Sequence, residues 1–158
     1  MYERILVPLD GSKVGEAALP NVEDLALKVG SCSEVEVTLL QVISDVTYDF
    51  TTTSDAAQLP IIETNLQKIK GMSLRYLETT AERLRGKGIK VNNLVVVGHA
   101  AEEIIKAAQK TNASLIAMST HGRSGLGRWA LGSITDKVLH HSRIPVLTVR
   151  APEGTKNE

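Results

Sequence analysis

The chain has 158 residues, enough for one domain with a real core, and its 18 Lys+Arg balance 18 Asp+Glu to a formal net charge of zero. That balance, with aromatics at 3%, removes the electrostatic and stacking grounds for a nucleic-acid partner or an anionic membrane surface. The one cysteine, Cys32, excludes an internal disulfide and fits a reducing cytoplasm, and no apolar run approaches the roughly 20 residues of a membrane span.

Met1-Tyr-Glu-Arg-Ile enters a strand pattern at once and lacks the shape of a signal peptide. Ile5-Leu6-Val7-Pro8-Leu9 reads as a first strand, buried on both faces. Asp10-Gly11-Ser12 is a turn with a candidate helix cap. Val14, Ala18, Val22, Leu25, Ala26 and Val29 then recur at helical spacing. Pro20 inside that run predicts a kink or a distorted turn, because its ring removes one hydrogen bond. Gly30-Ser31 ends the helix.

Val35 to Ile43 is a second strand, alternating at first and then continuously apolar. Residues 44–60 are polar and show no period. A connection of that length is uncommon in a compact domain and reads as a mobile lid or a partly disordered segment. The helical period returns from Ile62 through Leu66, Ile69, Ser73, Tyr76, Leu77, Ala81 and Leu84, and Gly86 and Gly88 stop it. Ile89 to Val97 is a third strand. Gly98-His-Ala turns into a helix carrying Ala101, Ile104, Ile105 and Ala108. Ser114 to Ser119 is a fourth strand, Gly132 to Ser142 a last helix, and Ile144 to Val149 a fifth strand. Pro145 lacks an N–H, which suits an edge strand or its first residues. Residues 1–150 read as a single domain, and 151–158 as a polar tail that frays.

Strands alternating with helices predict an α/β fold: a five-stranded parallel sheet covered by helices on both faces, three layers in all. Such open sheets bind ligands outside the carboxyl ends of the strands, where the strand order reverses. An order of 3-2-1-4-5 puts that reversal between the first and fourth strands. Asp10 and the segment from Ser119 to Gly132, distant in sequence, would then face one another.

That segment is the most informative stretch. Ala117-Met-Ser-Thr-His-Gly-Arg-Ser-Gly-Leu-Gly-Arg-Trp-Ala-Leu-Gly-Ser133 runs from a strand, through glycines, to a helix start. Glycines let backbone N–H groups approach a ligand closely. A helix start adds unpaired donors and the positive end of the dipole. Arg123 and Arg128 can add charge. The order of parts points to a phosphate site. The loop is not a Walker A motif, since no Lys-[Ser/Thr] follows the second glycine, nor a dinucleotide fingerprint, which belongs after the first strand. A carboxylate beside a nucleotide sugar accepts hydrogen bonds from ribose hydroxyls, and Asp10 suits that task.

From Ile5 to Val149 the chain resembles the universal stress protein family, the single-domain kind related to the UspA domain. The nucleotide-binding members of that family carry G-x2-G-x9-G-[ST]. Here it reads Ser119-Thr-His-Gly122, nine residues, then Gly132-Ser133, so three of four fixed positions match and Ser119 stands for the first glycine. The resemblance implies a Rossmann-like fold of the adenine nucleotide alpha hydrolase type, and ATP or AMP as ligand. It implies that Asp10 holds the ribose with Pro8 beside it, and that Val42 meets adenine through its backbone. Met118 and Ser119 would line the base and sugar. Gly122, Gly132, Ser133, Ile134 and Thr135 would surround the phosphates, with His121 and Arg123 in the same loop. A divalent ion, magnesium or manganese, would bridge phosphate oxygens, and no side chain is assigned as a metal ligand. The resemblance also implies a homodimer joined through residues 144–149, an apolar edge that needs cover.

Plainer readings stand beside these. Asp10 suits an Asx turn or a cap for the first helix. Ser133 with Asp136 resembles a capping pair, which is compatible with phosphate contact through backbone N–H. Arg123 and Arg128 suit solvated loop charges, and Thr51 to Thr53 a solvated loop. Trp129 suits packing beneath the loop, and Cys32 has no activating neighbour. His140 and His141 are adjacent on a helix and point apart, which excludes a metal pair. The sequence therefore reads as a nucleotide-dependent regulatory, stress-response module. Two alternatives stay open: a slow ATP hydrolase using His121 or Asp10, and a nucleotide-free dimeric partner-binding protein, to which Ser119 points.

Overall fold

Apolar runs of five to eight residues become parallel strands because both of their faces are covered. The computed structural model describes residues 2–29, 34–44, 59–120, 131–152 and 155. Strand β1 (Arg4–Pro8) is followed by a 3-10 turn (Gly15–Ala18) and helix α1 (Leu19–Val29). Then come β2 (Glu36–Ile43), α2 (Leu59–Arg85) and β3 (Lys90–Val97). Helix α3 (Ala100–Lys110), β4 (Leu115–Ser119), α4 (Ser133–His141) and β5 (Val146–Val149) complete the order. The sheet runs β3-β2-β1-β4-β5 with every neighbouring pair parallel, the order and direction expected from the sequence.

Alternation along the strands sorts the core into two layers. Val7, Val37 and Leu39 pack with Leu19 and Val22 of α1 and Leu77 and Leu84 of α2. Their neighbours Leu6, Leu40 and Ile116 turn to the other face and pack with Ile104 and Ala108 of α3 and Val138 of α4. The strand period of two thus puts α1 and α2 on one side of the sheet and α3 and α4 on the other. Leu6, Val7, Leu39, Leu40 and Ile116 are all fully buried. No helix among the described residues is long and apolar enough to cross a membrane.

Three local expectations change. The helical spacing from Val14 does not form one continuous α-helix: a 3-10 turn occupies Gly15–Ala18, and α1 starts at Leu19. Pro20 explains the break. It has no N–H for the Glu16 carbonyl, which instead accepts from the Leu19 N–H in the tighter pattern. The ring then sits in the first turn of α1, where no donor is required. Ser133 is also not the cap of α4. Gly132 holds that position, in extended backbone (φ −60°, ψ 145°), and Ser133 is the first helical residue. Helix α2 begins at Leu59, earlier than its visible period, and ends at Arg85, just before the expected glycines. Gly88 has φ +85°, the left-handed conformation that glycine adopts without strain. Residues 45–58, Gly30 to Ser33 and the segment 121–130 lie outside the described residues, and with them Cys32, Thr51 to Thr53, Arg128 and Trp129.

Candidate functional site

The strand order reverses between β1 and β4, and a cleft opens there at their carboxyl ends. Its cavity measures about 130 Å³. Pro8, Leu9 and Asp10 line one wall as the chain leaves β1, joined by Gly15 of the 3-10 turn. Val42 and Ser44 close the β2 side, and Met118 and Ser119 the β4 side. Ala100 and Ile104 of α3 and Ile134 and Thr135 of α4 form the remaining wall. The walls are largely apolar, with polar groups concentrated at Asp10, Ser44, Ser119 and Thr135, the usual composition of a small-molecule site.

The Asp10 turn is built by its own residues. Gly11 takes φ +81°, so the backbone folds back at once. The Ser12 N–H and the Ser12 hydroxyl both donate to Asp10 Oδ1, at 3.0 and 2.6 Å. The same hydroxyl oxygen accepts the Gly15 N–H at 2.9 Å. Ser12 is buried, so these bonds are shielded from water. The Asx-turn reading of Asp10 is therefore realised, and the carboxylate still lines the cleft. The cleft also needs a glycine at position 15. A Cβ there would stand 2.2 Å from Asp10 Oδ1 and 3.1 Å from Ser12 Oγ.

Opposite, α4 is preceded by Gly132 at its cap position, which has no side chain to cap the first-turn N–H groups. Gly132 N–H donates to the Thr120 carbonyl at 2.8 Å, and Asp136 N–H to the Gly132 carbonyl at 2.9 Å. The Thr135 hydroxyl donates to the Ser119 carbonyl at 3.0 Å, in buried surroundings. That bond ties the start of α4 to the end of β4 and engages the Thr135 side chain within the protein. Of α4, Ile134 and Thr135 line the cleft. Ser133 faces an adjoining groove with His99, Glu102 and Lys137. Ser119, the residue in place of a motif glycine, is 6% exposed and packs into the cleft wall.

The structure thus brings Pro8, Asp10, Val42, Met118, Ser119, Ile134 and Thr135 into one cleft. Gly132 and Ser133 stand at its α4 end. His121, Gly122 and Arg123 lie outside the described residues. Sequence reasoning missed Gly15, Ser44, Ala100 and Ile104. Ala100 and Ile104 had a usable signal. They lie four apart on the helix that follows β3, so they share a face near the sheet's carboxyl edge. Among the described residues no cluster of three or more His, Cys, Asp or Glu could hold a metal ion. His140 and His141 each bond the carbonyl four residues back rather than one another.

Behind the Asp10 turn, the Tyr76 hydroxyl of α2 donates to Glu16 Oε1 at 3.0 Å. Burial, and then the Glu16 carboxylate, push the Tyr76 phenol well above its ordinary pKa.

Known proteins share both sequence and architecture with this one. The model of the universal stress protein family matches residues 1–150. Universal stress protein MJ0577 of Methanocaldococcus jannaschii is 33% identical over 159 residues, covering 95% of this chain and 96% of that protein. The solved structure of MJ0577 superposes with a TM-score of 0.82 at 30% identity, over 98% of this chain and 99% of that one. Universal stress protein YxiE of Bacillus subtilis is 30% identical over 152 residues, covering 95% of this chain and all of that protein. A universal stress protein family member from Arabidopsis thaliana, with AMP bound, shares the fold at a TM-score of 0.64 and 16% identity, over 98% of this chain and 99% of that one. Matched by the family model from residue 1 to residue 150, this chain belongs to the universal stress protein family.

Proposed function

We propose that the cleft between β1 and β4 binds an adenine nucleotide, ATP or AMP, and that the protein is a nucleotide-dependent stress-response module rather than a dedicated enzyme. The observation that carries this reading is a single cleft lined by both the Asp10 carboxylate and the first turn of α4. A carboxylate suits ribose hydroxyls, and an uncapped helix start suits phosphate. The apolar walls from Val42, Ala100, Ile104 and Met118 suit a purine ring, which gains by leaving water. Pro8 and Ser119 flank the sugar. Backbone N–H groups of Ser133, Ile134 and Thr135, with Gly122, Gly132, His121 and Arg123 of the loop, receive the phosphates. A divalent ion would be held by phosphate oxygens rather than by a cluster of side chains. AMP binding by an Arabidopsis thaliana protein of the same fold supports the choice of ligand.

The module acts by population shift: a nucleotide favours whichever arrangement of the protein binds it better. The protein works in the cytoplasm as a homodimer joined through β5. Isothermal calorimetry with ATP, AMP and cyclic AMP tests the ligand. The expected result is saturable one-site binding of ATP or AMP, weakened at least about tenfold by Asp10→Ala, the loss expected when hydrogen bonds to a charged group disappear. Absence of binding for all three nucleotides at about 1 mM would overturn the reading.

A further inference from the structure

We propose that Tyr76, on α2 and outside the cleft, is a positioning residue for the Asp10 turn and acts through Glu16. The inference rests on the reading of Asp10 as the group that meets the nucleotide's ribose.

A continuous path of bonds joins the two residues. Tyr76 hydroxyl donates to Glu16 Oε1 at 3.0 Å, bridging 60 positions of sequence. Glu16 N–H donates to the Ser12 carbonyl at 3.2 Å. The Ser12 hydroxyl in turn donates to Asp10 Oδ1 at 2.6 Å. The bonds around Asp10 and Ser12 are local, closed within residues 10–15, and continue into a 3-10 turn of weak intrinsic geometry. Such a turn needs an anchor in a rigid element to hold a carboxylate to sub-ångström tolerance. Helix α2 is rigid where Tyr76 leaves it, because Leu77, Ala81 and Leu84 are fully buried in the core. Glu16 has a second partner, Lys13 Nζ at 3.6 Å, but Lys13 is 69% exposed and contributes little as an anchor. The phenol is the half-buried partner packed against the core, and like any phenol it keeps its proton and stays a donor at neutral pH.

The consequence is that α2, none of whose described residues lines the cleft, controls the aim of Asp10. Its test is calorimetry of wild type, Tyr76→Phe and Glu16→Gln with two ligands: ATP, and 2′,3′-dideoxy-ATP, which lacks the hydroxyls that Asp10 would accept. Tyr76→Phe keeps the ring in the core and removes only the donor. The expected result is ATP binding weakened about three- to tenfold in Tyr76→Phe, the scale of one hydrogen bond. Dideoxy-ATP binding stays unchanged, and Glu16→Gln, which retains the acceptor oxygen, stays within about twofold of wild type for ATP. Amide hydrogen exchange without nucleotide is the second readout. Residues 12–18 exchange faster in Tyr76→Phe than in wild type, while β1 and β4 do not.

ATP affinity unchanged in Tyr76→Phe, with Asp10→Ala still weakened, overturns the positioning role and leaves the nucleotide reading intact. Equal losses for ATP and dideoxy-ATP overturn it too, because the effect then bypasses the ribose. Unchanged exchange at residues 12–18 does the same. A wild-type protein that binds no adenine nucleotide removes both claims together.

Discussion

Gly15 lies so close to Asp10 that a single methyl group could not fit between them: its Cβ would sit 2.2 Å from Oδ1 and 3.1 Å from Cγ. The Asp10 side chain folds back over the 3-10 turn, and the missing side chain at position 15 is what admits it. Gly15→Ala therefore sets two effects against each other. Alanine is favoured over glycine in a helical backbone by about 1 kcal/mol. Overpacking costs about 1–3 kcal/mol and here acts on a turn with little room to give. The clash wins, because the atom it meets is held by two hydrogen bonds. Urea denaturation should show Gly15→Ala less stable by up to about 2 kcal/mol, the difference of those terms. Nucleotide affinity should fall with it, as the carboxylate is pushed from its place. A variant as stable and as tight as wild type would show that the turn relaxes freely.

The parallel sheet was legible in the alternation of strands and helices, and with the order 3-2-1-4-5 adopted, the meeting of Asp10 with the end of β4 follows from topology rather than from side-chain detail. Pro8 and Ser119 could be read for the same reason: they end strands at the reversal point, whereas Met118, one residue before the end of β4, came from the family resemblance. Gly15 could not. Its role depends on the Asp10 rotamer, which no periodicity encodes. Pro20 announced a disturbance but not its form, since a kinked helix and a 3-10 start share one sequence pattern. Ser133 misled for a related reason. A serine followed three residues later by an acid fits a capping pair, yet Gly132 takes the cap because its extended backbone begins the helix one residue earlier. Tyr76 read only as one apolar position of a long helix, while its hydroxyl reaches an element 60 residues away.

Thr135 separates structural from ligand roles at the start of α4. Its hydroxyl donates to the Ser119 carbonyl at 3.0 Å, and the residue is 3% exposed. Thr135→Val preserves shape and volume but leaves that carbonyl short of a donor. Thermal and urea melts should show a loss of about 1–2 kcal/mol. Nucleotide affinity should change by less than about threefold, because the proposed phosphate contact at this position is the backbone N–H. Thr135→Ser should stay near wild type in both. A tenfold affinity loss with unchanged stability would assign the hydroxyl to the ligand instead.

Strand β5 gives the proposed dimer a specific chemistry. Pro145 carbonyl accepts from Ile116 N–H and Val149 carbonyl from Thr120 N–H, so the odd-numbered residues turn their backbone groups toward β4. Val146 and Thr148, alternating with them, turn theirs outward. The sheet order shows no strand beyond β5 among the described residues, and Leu131 and Leu139 of the α4 region are exposed. An edge of this kind invites a second strand. Thr148→Pro removes an outward N–H while sparing the β4 ladder. Sedimentation velocity should show a dimeric wild type and a dimer weakened at least about tenfold in the variant, the worth of a lost backbone bond and a poorer fit. A wild type that sediments as a monomer at about 50 μM would exclude the dimer at any strength that matters.

The Tyr76 phenol makes stability depend on alkaline pH. Its pKa is raised in the folded state, first by burial and then by the neighbouring Glu16 carboxylate. Below about pH 10, the ordinary tyrosine value, folded and unfolded chains both keep the proton and the contribution is complete. Above it the unfolded chain releases a proton that the native protein still holds, so stability falls as pH rises toward the native pKa. Tyr76→Phe removes the titrating group and the slope it causes. Urea midpoints measured from about pH 9 to about pH 11 should therefore decline more steeply in wild type than in Tyr76→Phe, the two curves converging as pH rises. Parallel curves across that window would mean that the phenol is as well solvated in the native protein as in the unfolded chain.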